Sequence, residues 1–119
     1  MGGAHDNPDA RKASIDRVLI TLSHAADEAA ASGDPDLSEA IRETTALVRA
    51  RCVDSSRLVA CITDRTFEVG FARGFGLNEC VDLARTVLQR AIPALPADEA
   101  EKAIAKTMQG PRAPGHRPS

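Results

Sequence analysis

The sequence has 119 residues, a formal net charge of −2 and a hydrophobic fraction of 43%, values typical of one globular domain that is long enough to bury a core. This weak acidity argues against a domain that binds nucleic acid by neutralising phosphates, because such domains carry a basic surplus. Aromatic residues make up only 3%, whereas alanine, a strong helix former, occurs 21 times. Arginine outnumbers lysine twelve to three, a bias typical of a GC-rich bacterial genome.

Two helix-start patterns of the same kind occur in the first third of the chain. Asn7-Pro8 and Asp34-Pro35 each place a capping side chain before a proline at the first helical position. Apolar residues spaced three and four apart follow both patterns, so two amphipathic helices are predicted. Gly33 suits the left-handed end of the first helix. The short connection then predicts an antiparallel helical hairpin.

Residues 57–72 are compatible with two structures. As a β-hairpin, the segment turns at TDRT and places alternate residues of both strands on one face. These are Leu58, Ala60 and Ile62 before the turn and Phe67, Val69 and Phe71 after it. As a helix, the segment continues the four-residue repeat that the phenylalanines set. Two strands are marginal without further strands or a covering helix, and no third strand is visible. We therefore favour a helix from about 55 to 73, with an α+β fold as the alternative.

The last part of the chain predicts two more helices. Gly74 and Gly76 interrupt the third helix, Asn78 is expected to cap the fourth, and Pro93 stops it at Ile92. A fifth helix is expected at 97–109, and its apolar stripe is thin: Ala100, Ala103, Ile104 and Met108. The predicted fold is an all-α bundle of four or five helices.

The chain is expected to divide into a flexible N-terminal arm (1–6), a single helical domain (7–109) and a disordered Pro- and Gly-rich tail (110–119). No signal peptide and no apolar run of about 20 residues is recognisable, so a cytoplasmic protein without a membrane partner is expected. Cys52, Cys61 and Cys80 are odd in number and widely spaced. Buried reduced thiols explain them better than a disulfide framework or a zinc site.

The stretch FEVGFARGFGLNE contains every aromatic residue of the chain. At helical spacing, Phe67, Phe71 and Phe75 fill volume that an alanine-rich bundle lacks, while Gly70 and Gly74 let another helix approach. If the strip is partly exposed, it forms an interface, since aromatic residues are enriched there. The four residues predicted to bind a partner are Phe67, Phe71, Phe75 and Arg73. On this basis the protein is expected to be a small accessory or regulatory module that acts through protein contacts and forms a homo-oligomer.

A DNA-binding regulator is the first alternative. The segment FARGFGLNECVDLARTVL resembles a helix-turn-helix over about 70–92, with Ala72 and Gly76 in its small-residue positions. The resemblance implies that Arg85, Gln89 and Arg90 would face DNA. It departs from the pattern at Asp82, which occupies a core-anchoring position.

A magnesium-dependent nucleotide hydrolase is the second alternative. Acids projecting from facing helices hold divalent cations in helical bundles, as in the all-α nucleotide pyrophosphohydrolases. Glu39 and Glu43 with Glu79 and Asp82 resemble half of that arrangement, but the first pair has E-x-x-x-E spacing where the family has E-x-x-E. Solvated charged faces explain all four acids better than a metal site does, and Glu39 is spaced to interact with Arg42.

Catalytic chemistry has little support in the sequence. Among the histidines, His5 and His116 fall in the terminal segments and His24 is expected to face solvent. No Ser-His-Asp arrangement, G-x-S-x-G or P-loop occurs. The sequence therefore identifies no catalytic residue, cofactor site or metal ligand.

Overall fold

The structure, a computed structural model, describes residues 8–109 and holds five α-helices and no strand in that range. The helices are α1 (Pro8–Ala31), α2 (Pro35–Arg51), α3 (Leu58–Ala72), α4 (Leu77–Ala91) and α5 (Ala97–Gln109). The all-α prediction is confirmed and the hairpin at 57–72 is wrong. The predicted arm, the cap Asn7 and the tail at 110–119 lie outside the described residues. Across 8–109, no helix has the length and apolarity needed to span a membrane.

The α1–α2 hairpin forms as predicted. Gly33 adopts φ +86°, a conformation that glycine reaches without a side-chain clash. The N–H of Asp34 donates to Ala29 O at 2.9 Å, which closes the end of α1. The Asp34 carboxylate in turn accepts the N–H of Leu37 at 3.1 Å and caps α2. An ion pair of 2.7 Å between Arg42 and Asp27 also joins the two helices.

The joint between α2 and α3 corrects the cysteine prediction. Cys52, which follows α2, forms a disulfide with Cys61 in the first turns of α3, across a Cα–Cα distance of 6.2 Å. A 3-10 turn at Ser55–Arg57 reverses the chain between them, and this reversal brings two distant cysteines within bonding range. The prediction of buried reduced thiols is therefore correct for Cys80 and wrong for the other two cysteines.

α3 is the central helix and contacts α2, α4 and α5. Its burial follows the helical period: Leu58 and Ile62 are buried, whereas Ala60 between them is exposed. A strand would have placed all three on one face, which is why the alternation was misleading. The hydroxyl of Thr66 donates to Ile62 O at 2.7 Å within the helix, so burial leaves this hydroxyl satisfied.

α4 and α5 complete the bundle. α4 stops at Ala91 with Ile92 as its cap, as predicted. α5 buries only Ala100 and Ile104, which confirms its thin apolar stripe. Polar contacts add to this packing: the Thr107 hydroxyl donates to Asp64 of α3 at 2.7 Å.

Candidate functional site

The turn between α3 and α4 contains Gly74, which ends α3, and Gly76, which caps α4. Gly74 has φ +86°, and its N–H donates to Phe71 O at 3.0 Å while the N–H of Phe75 donates to Gly70 O at 2.9 Å. These paired bonds form a Schellman motif, which satisfies the last carbonyls of α3. The next helix then begins at once, so the two helices form a tight corner.

The cap of α4 corrects the prediction of Asn78. Gly76 is the N-cap residue and α4 starts at Leu77, one residue before Asn78. The Glu79 carboxylate accepts the N–H of Gly76 at 2.8 Å, which supplies the reciprocal half of a capping box. A glycine can occupy the cap position here because the acid three residues later does the hydrogen bonding.

Close helix approach depends on Gly70 and not on Gly74. A Cβ at Gly70 would lie 2.5 Å from Cys80 Sγ, so a side chain there would collide with α4. A Cβ at Gly74 would meet nothing within 4 Å. The predicted two-glycine contact strip is therefore half right: Gly70 packs, whereas Gly74 turns the chain.

The three phenylalanines occupy different environments. Phe67 is 1% exposed and belongs to the core. Phe71 and Phe75 are half-buried, and the Phe71 ring packs against Phe67 at a centroid distance of 6.1 Å. A partner can reach only the outer two without opening the core.

Leu77 was missed by the sequence analysis. It is 48% exposed at the first position of α4, two residues after Phe75. We call Phe71, Phe75 and Leu77 the corner surface. A single exposed leucine is ordinary on a protein surface. Partly exposed aromatic residues near the same turn make an apolar contact surface a better explanation here. In the helix-turn-helix interpretation Leu77 matches only the apolar turn residue, so the sequence did not mark it as exposed.

Arg73 is held by acids of the same chain. Its Nη1 donates to Glu43 at 2.9 Å and its Nη2 donates to Glu39 at 3.1 Å, and its side chain is only 20% exposed. The hydrogen bond to Glu39, with added charge attraction from Glu43, raises the pKa of the guanidinium. Arg73 thus ties the end of α3 to α2, and a partner would meet a cation whose charge is already balanced.

These contacts replace the ion pair expected within α2. Glu39 bonds Arg73 and not Arg42, which instead pairs with Asp27 of α1. Ion pairs between helices form here because the fold brings opposite charges together from helices that are distant in sequence. Sequence spacing alone detects only partners on the same helix.

The four acids of the metal hypothesis do not converge. Glu39 and Glu43 contact Arg73, Glu79 caps its own helix, and Asp82 lies 3.1 Å from Arg85. Within 8–109, no three His, Cys, Asp or Glu side chains lie close enough together to hold a metal ion. His24 is exposed, as predicted.

The basic residues of α4 are also engaged in ion pairs. Arg85 donates to Glu101 of α5 at 2.6 and 3.1 Å; these hydrogen bonds raise the pKa of Arg85 and lower that of Glu101. Arg90 lies 3.5 Å from Glu28 of α1. A DNA phosphate would have to compete with these carboxylates. Asp82, where the helix-turn-helix pattern needs a core anchor, is exposed.

A groove of about 250 Å³ runs beside the corner surface, between the N-terminal ends of α2 and α4. Its lining combines carboxylates with apolar side chains: Asp34, Asp36, Leu37, Ala40, Phe75, Glu79, Asp82, Leu83 and Thr86. Ligand pockets for small molecules usually measure roughly 300–1,000 Å³. The groove is therefore sized for one or two side chains of a polypeptide.

Comparison with known proteins adds no relative: no family model, curated protein or solved structure matches the chain significantly. Function is therefore inferred from the corner surface and the groove.

Proposed function

We propose that this protein is a small accessory or regulatory module that acts through protein–protein contacts, and that two copies associate through the corner surface. The observation that carries the proposal is the exposure of Leu77 beside half-buried Phe75. Among the described residues, the large exposed hydrophobic side chains are Ile20, Val53 and Leu77. Leu77 is the one that lies next to the turn carrying Phe75, and aromatic side chains dominate the energetics of protein interfaces.

The association should be weak and reversible. A stable interface buries about 800 Å² on each partner, more than three partly exposed side chains supply. Neighbouring faces of α3 and α4 must then contribute, and polar groups there gain less on burial than apolar ones. Arg73 would lie at the rim of such an interface, where charged contacts add little affinity.

The proposed compartment is the cytoplasm, and the Cys52–Cys61 disulfide provides a direct check on it. Disulfides persist in oxidising compartments and are rare or transient in the cytosol. Cells quenched with acid and alkylated under denaturing conditions report the thiols that exist in vivo. Three modified cysteines per chain support a reducing cytoplasm, whereas one modified cysteine contradicts the proposed location.

Sedimentation equilibrium of four chains tests the self-association. Leu77→Glu places a charge in the corner surface at the first turn of α4, where an acid favours the helix dipole, so its fold should be intact. Phe71→Arg changes the same surface on α3. Ile20→Glu is the matched control because Ile20 is an exposed aliphatic residue on α1, 59% accessible.

The proposal predicts a concentration-dependent dimer for the wild type and for Ile20→Glu, and monomers for Leu77→Glu and Phe71→Arg. Circular dichroism establishes that each variant is folded. A dimer that persists in the folded Leu77→Glu chain contradicts the proposed surface. If Phe71→Arg unfolds, Phe71 is a core residue and the surface is reduced to the remaining two.

A further inference from the structure

The groove beside the corner is strongly acidic. Asp34, Asp36, Glu79 and Asp82 line it, and within 8–109 no lysine or arginine does. Arg85, the nearest base in sequence, donates twice to Glu101 and once to Asp82. Asp82 is thus shared with Arg85, whose main partner is Glu101. Asp36 feels the charge of Arg73, whose hydrogen bonds go to Glu39 and Glu43.

The N-terminal ends of two helices meet at this groove, but they do not favour an anion. Asp34 accepts the N–H of Leu37 and Glu79 accepts that of Gly76, so the chain's own acids occupy the two positive helix ends. The remaining carboxylates, Asp36 and Asp82, are exposed. The groove therefore attracts cations.

The floor of the groove is apolar. Leu37, Ala40 and Leu83 lie along it, and the half-buried Phe75 ring forms one wall. An arginine fits this combination, because its methylene stem packs on apolar surface while its head group stays with the acids. The guanidinium can also stack on an aromatic face. Simple divalent ions gain nothing from such a floor.

The chain itself carries a segment of complementary charge. Residues 110–119, GPRAPGHRPS, contain Arg112, His116 and Arg117 and no acidic side chain. Its prolines limit backbone freedom, which lowers the entropy lost when a segment is ordered.

The connection is long enough for this segment to reach the groove of its own molecule. Thr107 contacts Asp64 in the middle of α3. From Asp64 to Ala72 the helix rises about 12 Å, and the residues to Phe75 add at most about 10 Å. Side-chain contact at Thr107 adds a few ångströms, whereas the chain from Gln109, the last residue of α5, to Arg117 reaches roughly 26 Å when extended.

We propose that residues 110–119 dock into the groove of their own molecule, with an arginine between the acids and over the apolar floor. The inference builds on the proposed contact role, since Phe75 belongs to both the groove and the corner surface. A docked segment would compete with a second copy for Phe75. The segment thereby regulates self-association.

Paramagnetic relaxation tests this docking on the full chain. A nitroxide is attached to Ser119→Cys; Cys80 does not compete for the label because burial, with a smaller contribution from the charge of Glu79, raises the pKa of its thiol to about 11. Amide signals at 36–40 and 77–83 should lose intensity relative to the same sample with the nitroxide reduced. Signals of α1 around His24 serve as the internal reference. High salt should restore the groove signals.

Two controls decide the interpretation. Asp36→Asn with Asp82→Asn should abolish the intensity loss, whereas Asp16→Asn with Asp98→Asn, exposed acids off the groove, should leave it unchanged. At a concentration where sedimentation shows only monomer, a mixture of ¹⁵N-labelled chain and spin-labelled unlabelled chain should show no loss. Loss in that mixture means that a second copy supplies the segment, which overturns the intramolecular proposal.

An equal loss of signal in both acid variants also overturns the proposal, because it shows that the groove carboxylates do not hold the segment. This failure is separate from failure of the proposed function. Sedimentation of Leu77→Glu tests the corner surface, whereas the relaxation experiment tests only the groove.

Discussion

The substitution Gly70→Ala tests the close contact between α3 and α4 at the corner. The added carbon would lie 2.5 Å from Cys80 Sγ and 3.5 Å from Cys80 Cβ. Alanine in place of glycine in a helix gains about 1 kcal/mol, while overpacking a close-packed core costs roughly 1–3 kcal/mol. We expect a net loss of about 1 kcal/mol of unfolding free energy, or on the order of 4 °C in Tm.

The same substitution should change sign when Cys80 is alanine. In that background the nearest atom of residue 80 is its Cβ, at ordinary van der Waals distance, so Gly70→Ala should stabilise by about 1 kcal/mol. The coupling between the two positions is then about 2 kcal/mol. Urea unfolding of the four chains of this double-mutant cycle, followed by far-UV circular dichroism without reductant, measures it. Equal effects in both backgrounds would refute the close contact.

Three further predictions concern the disulfide, the free thiol and an ion pair. Replacing Cys52 and Cys61 together by serine should lower the unfolding free energy by about 2.7 kcal/mol, the loop-closure value for a separation of nine residues; denaturant midpoints equal to wild type would contradict this. Ellman's reagent should find no reactive thiol in the folded oxidised chain at pH 8 and one after unfolding, because Cys80 is buried and its pKa is about 11; rapid reaction in the folded chain would be inconsistent with that burial. Hydrogen bonds from Arg85 lower the pKa of Glu101 below its ordinary 4.5, so the folded state binds this proton more weakly than the unfolded state. The stabilisation from the ion pair is therefore complete above the ordinary pKa and is lost as the pH falls through the lowered pKa. Denaturation across acid pH should therefore show a shallower decline for Arg85→Gln than for the wild type; parallel curves would remove the pair from the account.

Local chemistry explains which elements the sequence predicted well. The end of α1 at Gly33, the start of α2 at Pro35 and the stop of α4 before Pro93 depend on residues within one turn of the boundary. The choice of helix for 57–72 also succeeded, because the four-residue phenylalanine repeat outlasted the two-residue alternation. The cap of α4 failed because Glu79 lets Gly76 take the position expected of Asn78.

Contacts between distant residues explain what the sequence missed. The Cys52–Cys61 disulfide needs the chain reversal at Ser55–Arg57, and spacing does not reveal it. Arg73 bonds acids of α2 that lie 30 and 34 positions earlier in the chain. The groove likewise combines side chains from two helices and the corner, so none of its residues forms a motif in sequence.

A native mass spectrum recorded beside a denatured one tests the association of two copies through the corner surface. The account predicts a species of twice the 12.6 kDa chain mass, with no added mass, whose share rises with protein concentration and disappears for Leu77→Glu. A wild-type chain that stays monomeric up to its solubility limit would contradict the account, and a monomer with bound mass would direct attention to a ligand instead.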